Sequence, residues 1–168
     1  TVLDIFAGSG CIGISTLKNT KNTRVDFAEI DNKLIKQIKI NLKINKIKRE
    51  ICKVIPSNIF ENIKEKYDFI LANPPYIPTQ HIKKIQKSVL AHEPHLALLG
   101  GKNGLSFITP FLKQAKKHLN TGGQIWFEFD PSQKQSIEKI IKKNGYSSWT
   151  FKKDQHRRWR FVTIFLEQ

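Results

Sequence analysis

Asn73-Pro74-Pro75-Tyr76 directly follows Tyr67-Asp68-Phe69-Ile70-Leu71-Ala72, an apolar run that reads as a buried strand. Each proline fixes its own φ and pushes the residue before it towards extended geometry, so Asn73 and Pro74 are held rigid. Pro75 has no N–H to offer, which leaves the carbonyls beside it free to accept. The Asn73 carboxamide adds a second acceptor, and two acceptors at fixed spacing suit a planar NH2 group. Tyr76 can cover the flat face of whatever carries that nitrogen. Taken alone, the tetrapeptide also reads as a proline-rich turn with no chemistry.

A second constellation opens the chain. Thr1-Val2-Leu3-Asp4-Ile5 followed by Phe6-Ala7-Gly8-Ser9-Gly10-Cys11-Ile12-Gly13 reads as strand, glycine turn and helix. Gly8 and Gly10 permit positive φ and close approach of a ligand, and the helix start offers free N–H groups. The spacing Gly8-x-Gly10-x-x-Gly13 matches the dinucleotide fingerprint. The next strand, Arg24-Val25-Asp26-Phe27-Ala28, ends at Glu29, roughly 20 residues past the glycines, where an acid can accept from ribose hydroxyls. A solvated strand end is the alternative for Glu29. Asp31 reads as the N-cap of a helix from Lys33 to Asn45.

The elements that must position these groups alternate regularly. The sequence predicts a third strand over 49–55, with Ser57-Asn58-Ile59-Phe60 as the loop at its end. Residues 77–104 are polar and rich in His, Pro and Gly, and are predicted to hold a short helix over 83–89. A helix is expected over 105–119, ended by Asn120-Thr121-Gly122-Gly123, then a strand over 124–129. Pro131 opens a helix that runs to Asn144 and stops at Gly145. Strands over 149–153 and 160–166 close the chain as an antiparallel hairpin. Strands alternating with helices mean an α/β fold with an open, mostly parallel sheet that carries ligands at its strand C-termini.

A chain of 168 residues forms one domain, here residues 1–168, with no apolar run long enough to span a bilayer and no secretory signal. Cys11 and Cys52 form neither a disulfide framework nor a metal cluster; both are expected to be small core residues in a reducing, cytoplasmic compartment. No metal site is expected. The chain lacks methionine and starts inside a strand, which predicts a fragment trimmed at its N-terminus. Lys and Arg number 29 against 14 Asp and Glu, a formal net charge of +15. Lysine supplies most of it, on helix faces such as Lys33-Lys36-Lys39-Lys43-Lys46 opposite Leu34, Ile38 and Leu42. An AT-rich genome produces the same bias, yet the field would still attract RNA or a ribosome nonspecifically. Arg157-Arg158-Trp159-Arg160 is the one basic run with an aromatic inside it.

Glycine turn, acid, polar loop and Asn-Pro-Pro-Tyr thus fall on one edge of one sheet, and this resembles a class I S-adenosylmethionine-dependent methyltransferase. Val89-x-x-His92-Glu93-Pro94-x-x-Ala97-Leu98-x-Gly100-Gly101-x-Asn103-Gly104-Leu105 sharpens the resemblance to the HemK/PrmC protein-glutamine methyltransferases, as do Gly122-Gly123 with Glu128 and Gln133, and Lys153-Asp154 with Arg160. The resemblance implies a Rossmann-like, seven-stranded sheet with a C-terminal antiparallel hairpin. It implies methyl transfer from S-adenosylmethionine to the glutamine of a Gly-Gly-Gln loop in a peptide chain release factor. Asn73, Pro74 and Tyr76 are then the catalytic residues, and Pro75, Tyr76 and Glu93 bind substrate, Glu93 either directly or by ordering its own loop. Asp4, Ala7, Gly8, Gly10, Glu29, Asn58 and Asn73 are the cofactor-binding set. A monomer is the expected state.

Three positions depart from the family pattern: Phe6 where a small residue is usual, Asn58 where Asp is common, and Asp130 where Gly is usual. The family's N-terminal helical domain and the segment before its first strand are expected to be missing. Two alternatives stay open. One is a nucleic-acid base amino-group methyltransferase, which shares Asn-Pro-Pro-Tyr. The other is a silent fragment that binds cofactor or ribosome and transfers nothing.

Overall fold

β-branched and aromatic residues dominate seven short runs, and each becomes a strand of one sheet. The computed structural model describes residues 1–84 and 98–167. The strands are β1 (Val2–Ile5), β2 (Val25–Glu29), β3 (Cys52–Pro56), β4 (Tyr67–Ala72), β5 (Leu119–Glu128), β6 (Ser148–Lys153) and β7 (Trp159–Phe165). The helices are α1 (Cys11–Asn19), α2 (Asn32–Ile44), α3 (Ile108–Ala115) and α4 (Lys134–Lys143). The sheet order is β3-β2-β1-β4-β5-β7-β6, with only the β5–β7 and β7–β6 pairs antiparallel. This is the expected open sheet with its terminal hairpin.

The order reverses beside β1. The chain winds outward through β2 and β3, then returns to place β4 on the other side of β1. Such a reversal opens a crevice at the strand C-termini, where ligands of α/β sheets bind. Ile5 pairs with Ala28 and with Ala72, and Glu29 with Pro56, so four loops leave the sheet at one level. The residues that follow are Phe6, Ile30, Ser57 and Asn73. The register therefore brings the predicted site together.

Two apolar layers hold this edge in place. Ile14 and Leu17 of α1 and Ile38 and Leu42 of α2 pack on Val2, Val25 and Phe27. Phe111 and Leu112 of α3 and Ile137 and Ile141 of α4 cover the opposite face with Leu3, Ile5, Ile70, Ile125 and Phe127. Each such side chain, taken out of water, contributes about 1.5–3 kcal/mol. Gly13 lets α1 lie directly on β2: a Cβ there would come 2.3 Å from the Phe27 ring.

Several elements differ from the sequence expectation. Residues 49–51 form a 3-10 turn, so β3 begins later than predicted. Gly122 and Gly123 lie inside β5 instead of ending a helix. The β4–β5 register jumps across them, from Tyr67↔Leu119 to Phe69↔Gln124, so they form an irregularity within the strand. The helix before β5 is correspondingly shorter than predicted. On α2, Ile35 takes the buried position expected for Leu34. Residues 79–84 form a 3-10 turn, and the rest of the predicted helix over 83–89 lies outside the described residues. Cys11 is exposed as the first residue of α1, not a core residue, because the glycine turn faces outward there; Cys52 is half-buried. Asp31 caps α2 as expected, accepting from the Lys33 N–H at 2.7 Å. No helix among the described residues is long and apolar enough to cross a membrane. Nor do the described residues group three or more His, Cys, Asp or Glu around a metal position.

Candidate functional site

β1 leaves the sheet through Phe6, whose φ of 57° lies in the left-handed region. A side chain there is strained by about 1–2 kcal/mol relative to glycine. The Phe6 ring offsets this by meeting Phe107 and Phe111 edge-on, at 6.2 and 5.9 Å between centroids. Gly8 follows with φ 57°, and a Cβ placed on it would meet nothing within 4 Å, so this side of the turn is open. The buried Ala7 and Gly10 complete the turn, with Gly10 at φ 79° before α1.

Asp4 stands beneath this turn, 1% exposed. Its Oδ2 accepts the Gly13 N–H at 2.8 Å, satisfying one of the free donors of α1. Its Oδ1 is buried and meets no donor among the described residues. Burial pushes the Asp4 carboxyl up to about 7; the Gly13 bond opposes the rise and the Glu29 charge adds to it.

Glu29 ends β2 and is 7% exposed. Oε2 accepts the Gly8 N–H at 2.8 Å, and Oε1 accepts those of Ile30 and Asp31 at 2.8 and 2.9 Å. A carboxylate has about four acceptor positions, so one remains for an outside donor. Glu29 is thus first the strut of its own crevice. This role is neither the ribose contact nor the solvated strand end expected from the sequence.

Asn58 is exposed in the loop after β3. The buried Ser57 hydroxyl shapes this loop, donating to the Ile59 carbonyl at 2.8 Å and accepting the Asn62 N–H at 3.1 Å. Ile59 takes φ 53° as a result, unusual for a β-branched residue. Asn58, Ile59, Ser106, Phe107, Pro110 and Gln114 line a cavity of about 560 Å³. That volume falls within the small-molecule range. Through Phe107 it abuts Phe6, and hence the glycine turn.

Asn73 is exposed where β4 ends, and Pro74 and Pro75 are buried behind it. The segment beyond is tied down. The Ile77 N–H donates to the Leu98 carbonyl, and the Gly100 N–H returns a bond to the Ile77 carbonyl, at 3.0 and 2.9 Å. Gly100 packs so closely on the Pro75 carbonyl that a Cβ would lie 2.6 Å from the oxygen. The Tyr76 carbonyl accepts from Gln133 Nε2 at 2.8 Å. The Tyr76 hydroxyl donates to Glu128 at 2.7 Å, and burial first, then this bond, pushes its pKa up. Arg160 lies 3.7 Å from the same Glu128 oxygen.

Every acceptor of the tetrapeptide is therefore not equally free, as the proline argument alone suggested. Among the described residues no donor reaches the Asn73 side chain or the Pro74 carbonyl, and these two face no internal competitor. Tyr76 offers its ring, not its hydroxyl. Glu128, Gln133, Gly100 and Gly104 entered the sequence reading only as part of a signature; their contacts give them the work of fixing this loop. The Asp130-Pro131-Ser132-Gln133 spacing, a capping-box pattern, was the available signal for Gln133. Val89, His92, Glu93, Pro94 and Ala97 lie outside the described residues.

Comparison with known proteins shows the family and the fold. The family described as "Methyltransferase small domain" matches residues 1–154. A release factor glutamine methyltransferase of Flavobacterium psychrophilum is 32% identical over 166 residues, covering 97% of this chain and 57% of that protein. A bifunctional methyltransferase of Rickettsia felis is 36% identical over 155 residues, covering 91% of this chain and 29% of that protein. The chain thus spans little more than half the length of the first relative and less of the second. A crystal structure of a methyltransferase from Pyrococcus furiosus superposes with a TM-score of 0.74 at 20% identity, over 100% of this chain and 75% of that one.

Proposed function

The chain belongs to the methyltransferase small domain family, and on that footing we propose that it transfers a methyl group to the side-chain nitrogen of a glutamine in a peptide chain release factor. The observation that carries the reading is the pair of acceptors at the end of β4. Asn73 follows Ala72, which pairs with Ile5 just before the glycine turn, and the neighbouring Pro75 and Tyr76 carbonyls are packed or bonded. The names of relatives that align over nearly the whole chain support the substrate.

S-adenosylmethionine, when bound, would supply a methyl group already activated on a sulfonium sulfur. The residues present fit such a group. Asp4 Oδ1 is buried and meets no donor among the described residues, and Gly8 leaves the turn open on its outer side. Glu29 keeps one acceptor position for a ribose hydroxyl, and Gly8 and Ala7 leave the backbone approachable. Asn58 borders the cavity of about 560 Å³, which is large enough for a purine ring.

An amide nitrogen is a poor nucleophile because its lone pair is delocalised into its carbonyl. Asn73 and Pro74 would each accept one of its hydrogens and so fix its direction of attack. Orientation of this kind is worth on the order of several kcal/mol of barrier. Positive charge grows on the nitrogen as its new bond forms, so both acceptors bind more tightly in the transition state than before it. The Tyr76 ring, held by Glu128, would flank the planar amide. The surplus proton leaves to water.

An exocyclic amine of a nucleic-acid base presents the same two hydrogens, and the net charge of +15 favours a polyanion. Parallel incubation of the protein and radiolabelled S-adenosylmethionine with release factor, ribosomal RNA and DNA separates the readings. Label on the Gly-Gly-Gln glutamine, located by peptide mass spectrometry, supports the proposal. Label confined to nucleic acid assigns the site to bases instead.

A further inference from the structure

Gln133 sits in the 3-10 turn after β5 and is only 4% exposed. Its carboxamide is bonded at both ends. Oε1 accepts the Asp130 N–H at 3.1 Å. Nε2 donates to the Tyr76 carbonyl at 2.8 Å and to the Asn103 carbonyl at 3.2 Å. A reversed amide would set its oxygen against two carbonyls, so this orientation is the one the site permits. The three-way junction also needs Gly104, where a Cβ would come 2.1 Å from both Gln133 Nε2 and the Tyr76 oxygen.

Tyr76 is consequently gripped twice from the end of β5, by Glu128 at its hydroxyl and by Gln133 at its carbonyl. At the other end of the tetrapeptide, Ala72 is fixed by the sheet through its pairing with Phe127. Pro74 and Pro75 lie between these anchors, each with φ locked by its ring. Few soft dihedrals remain over this span. With both ends held, the ψ of Pro74 is set, and with it the direction of the Pro74 carbonyl.

We infer that Gln133 is a positioning residue for the transfer, acting through Tyr76 to aim the Pro74 carbonyl at the acceptor nitrogen. The inference rests on the reading of Asn73 and Pro74 as the grip. Gln133 is buried and its carboxamide is bonded to main-chain groups at both ends, so it is expected to govern turnover and leave cofactor affinity alone. A displacement of about 1 Å at a reacting group costs about a hundredfold in rate, and loss of Gln133 is expected to act on that scale.

The test compares wild type, Gln133→Leu and Gln133→Glu in the active protein. It reads kcat on whichever acceptor the wild type methylates, and the dissociation constant of S-adenosylhomocysteine by calorimetry. Gln133→Leu is expected to lower kcat about a hundredfold while the dissociation constant stays within about threefold. Gln133→Glu separates positioning from folding. Its protonated carboxyl can donate to the Tyr76 carbonyl, whereas its ionised form sets charge against two carbonyls. Its kcat should fall as pH rises through the introduced carboxyl's titration, over a range where the wild type is flat. A Gln133→Glu profile that tracks the wild type, or a Gln133→Leu loss confined to cofactor affinity, overturns the inference. Wild-type label on a base instead of glutamine overturns the functional reading and leaves the ratio between variants still decisive for Gln133.

Discussion

The Glu29 carboxylate accepts the Gly8 amide at 2.8 Å and so ties the ends of β1 and β2 across the mouth of the crevice. A ligand that bonds the same carboxylate adds to a strut already in place. Glu29→Ala should therefore do two things together. It should weaken S-adenosylhomocysteine binding, and it should destabilise the ligand-free fold by about 1–2 kcal/mol, because three partly buried N–H groups lose their acceptor. Thermal unfolding with and without ligand measures both. An unchanged ligand-free melting temperature would mean that water replaces the carboxylate. Stabilisation of the wild type by NADH and not by S-adenosylhomocysteine would contradict the cofactor.

Asp4 gives the ligand-free protein a pH dependence of definite sign. Its carboxyl titrates near 7 in the fold against an ordinary value of 3.8. The folded state thus holds this proton more tightly, and Asp4's contribution to stability is complete below 3.8 and lost as pH rises to about 7. Asp4→Asn stays neutral and can still accept from Gly13. In urea unfolding at pH 5 and pH 8, the difference between the two midpoints should shrink in Asp4→Asn, with the variant gaining most at pH 8. A wild type whose stability rises over this interval, with Asp4→Asn unchanged in slope, would show Asp4 ionised throughout.

Phe6 sets two opposed effects against each other. Its left-handed φ costs about 1–2 kcal/mol, while removing a fully buried Phe costs about 3–5 kcal/mol. Phe6 is half-buried, so its ring is worth roughly half as much. Phe6→Ala keeps the strain and loses the ring, for a net loss of about 2 kcal/mol. Phe6→Gly releases the strain and should lose only about 1 kcal/mol. Denaturant unfolding should rank wild type above glycine above alanine; alanine above glycine would place the strain elsewhere.

Much of this site was legible in the sequence because its signals are local. Apolar runs, glycines and paired prolines announce strand ends within a few residues, and alternating elements then bring those ends to one edge. Contacts between distant segments were not legible. Gln133 reaches Tyr76 across 57 positions, and its acceptor there is main chain, which carries no residue identity to recognise. The same holds for Glu29, whose three donors are backbone amides. Gly122 and Gly123 read as a helix stop because a strand irregularity uses the same residues. The exposure of Cys11 followed from the outward path of the turn, which spacing alone does not give.

We propose that the Asn73 side chain acts mainly on the acceptor nitrogen, whatever contact Asn73 also lends the cofactor. The most direct test is a single-turnover measurement on Asn73→Ala in the active protein, with methyl transfer to the release-factor glutamine and S-adenosylhomocysteine affinity read side by side. The transfer rate should fall by about a hundredfold or more, with the affinity staying within a few-fold of wild type. Equal losses in both, or transfer that continues at the wild-type rate, would contradict it.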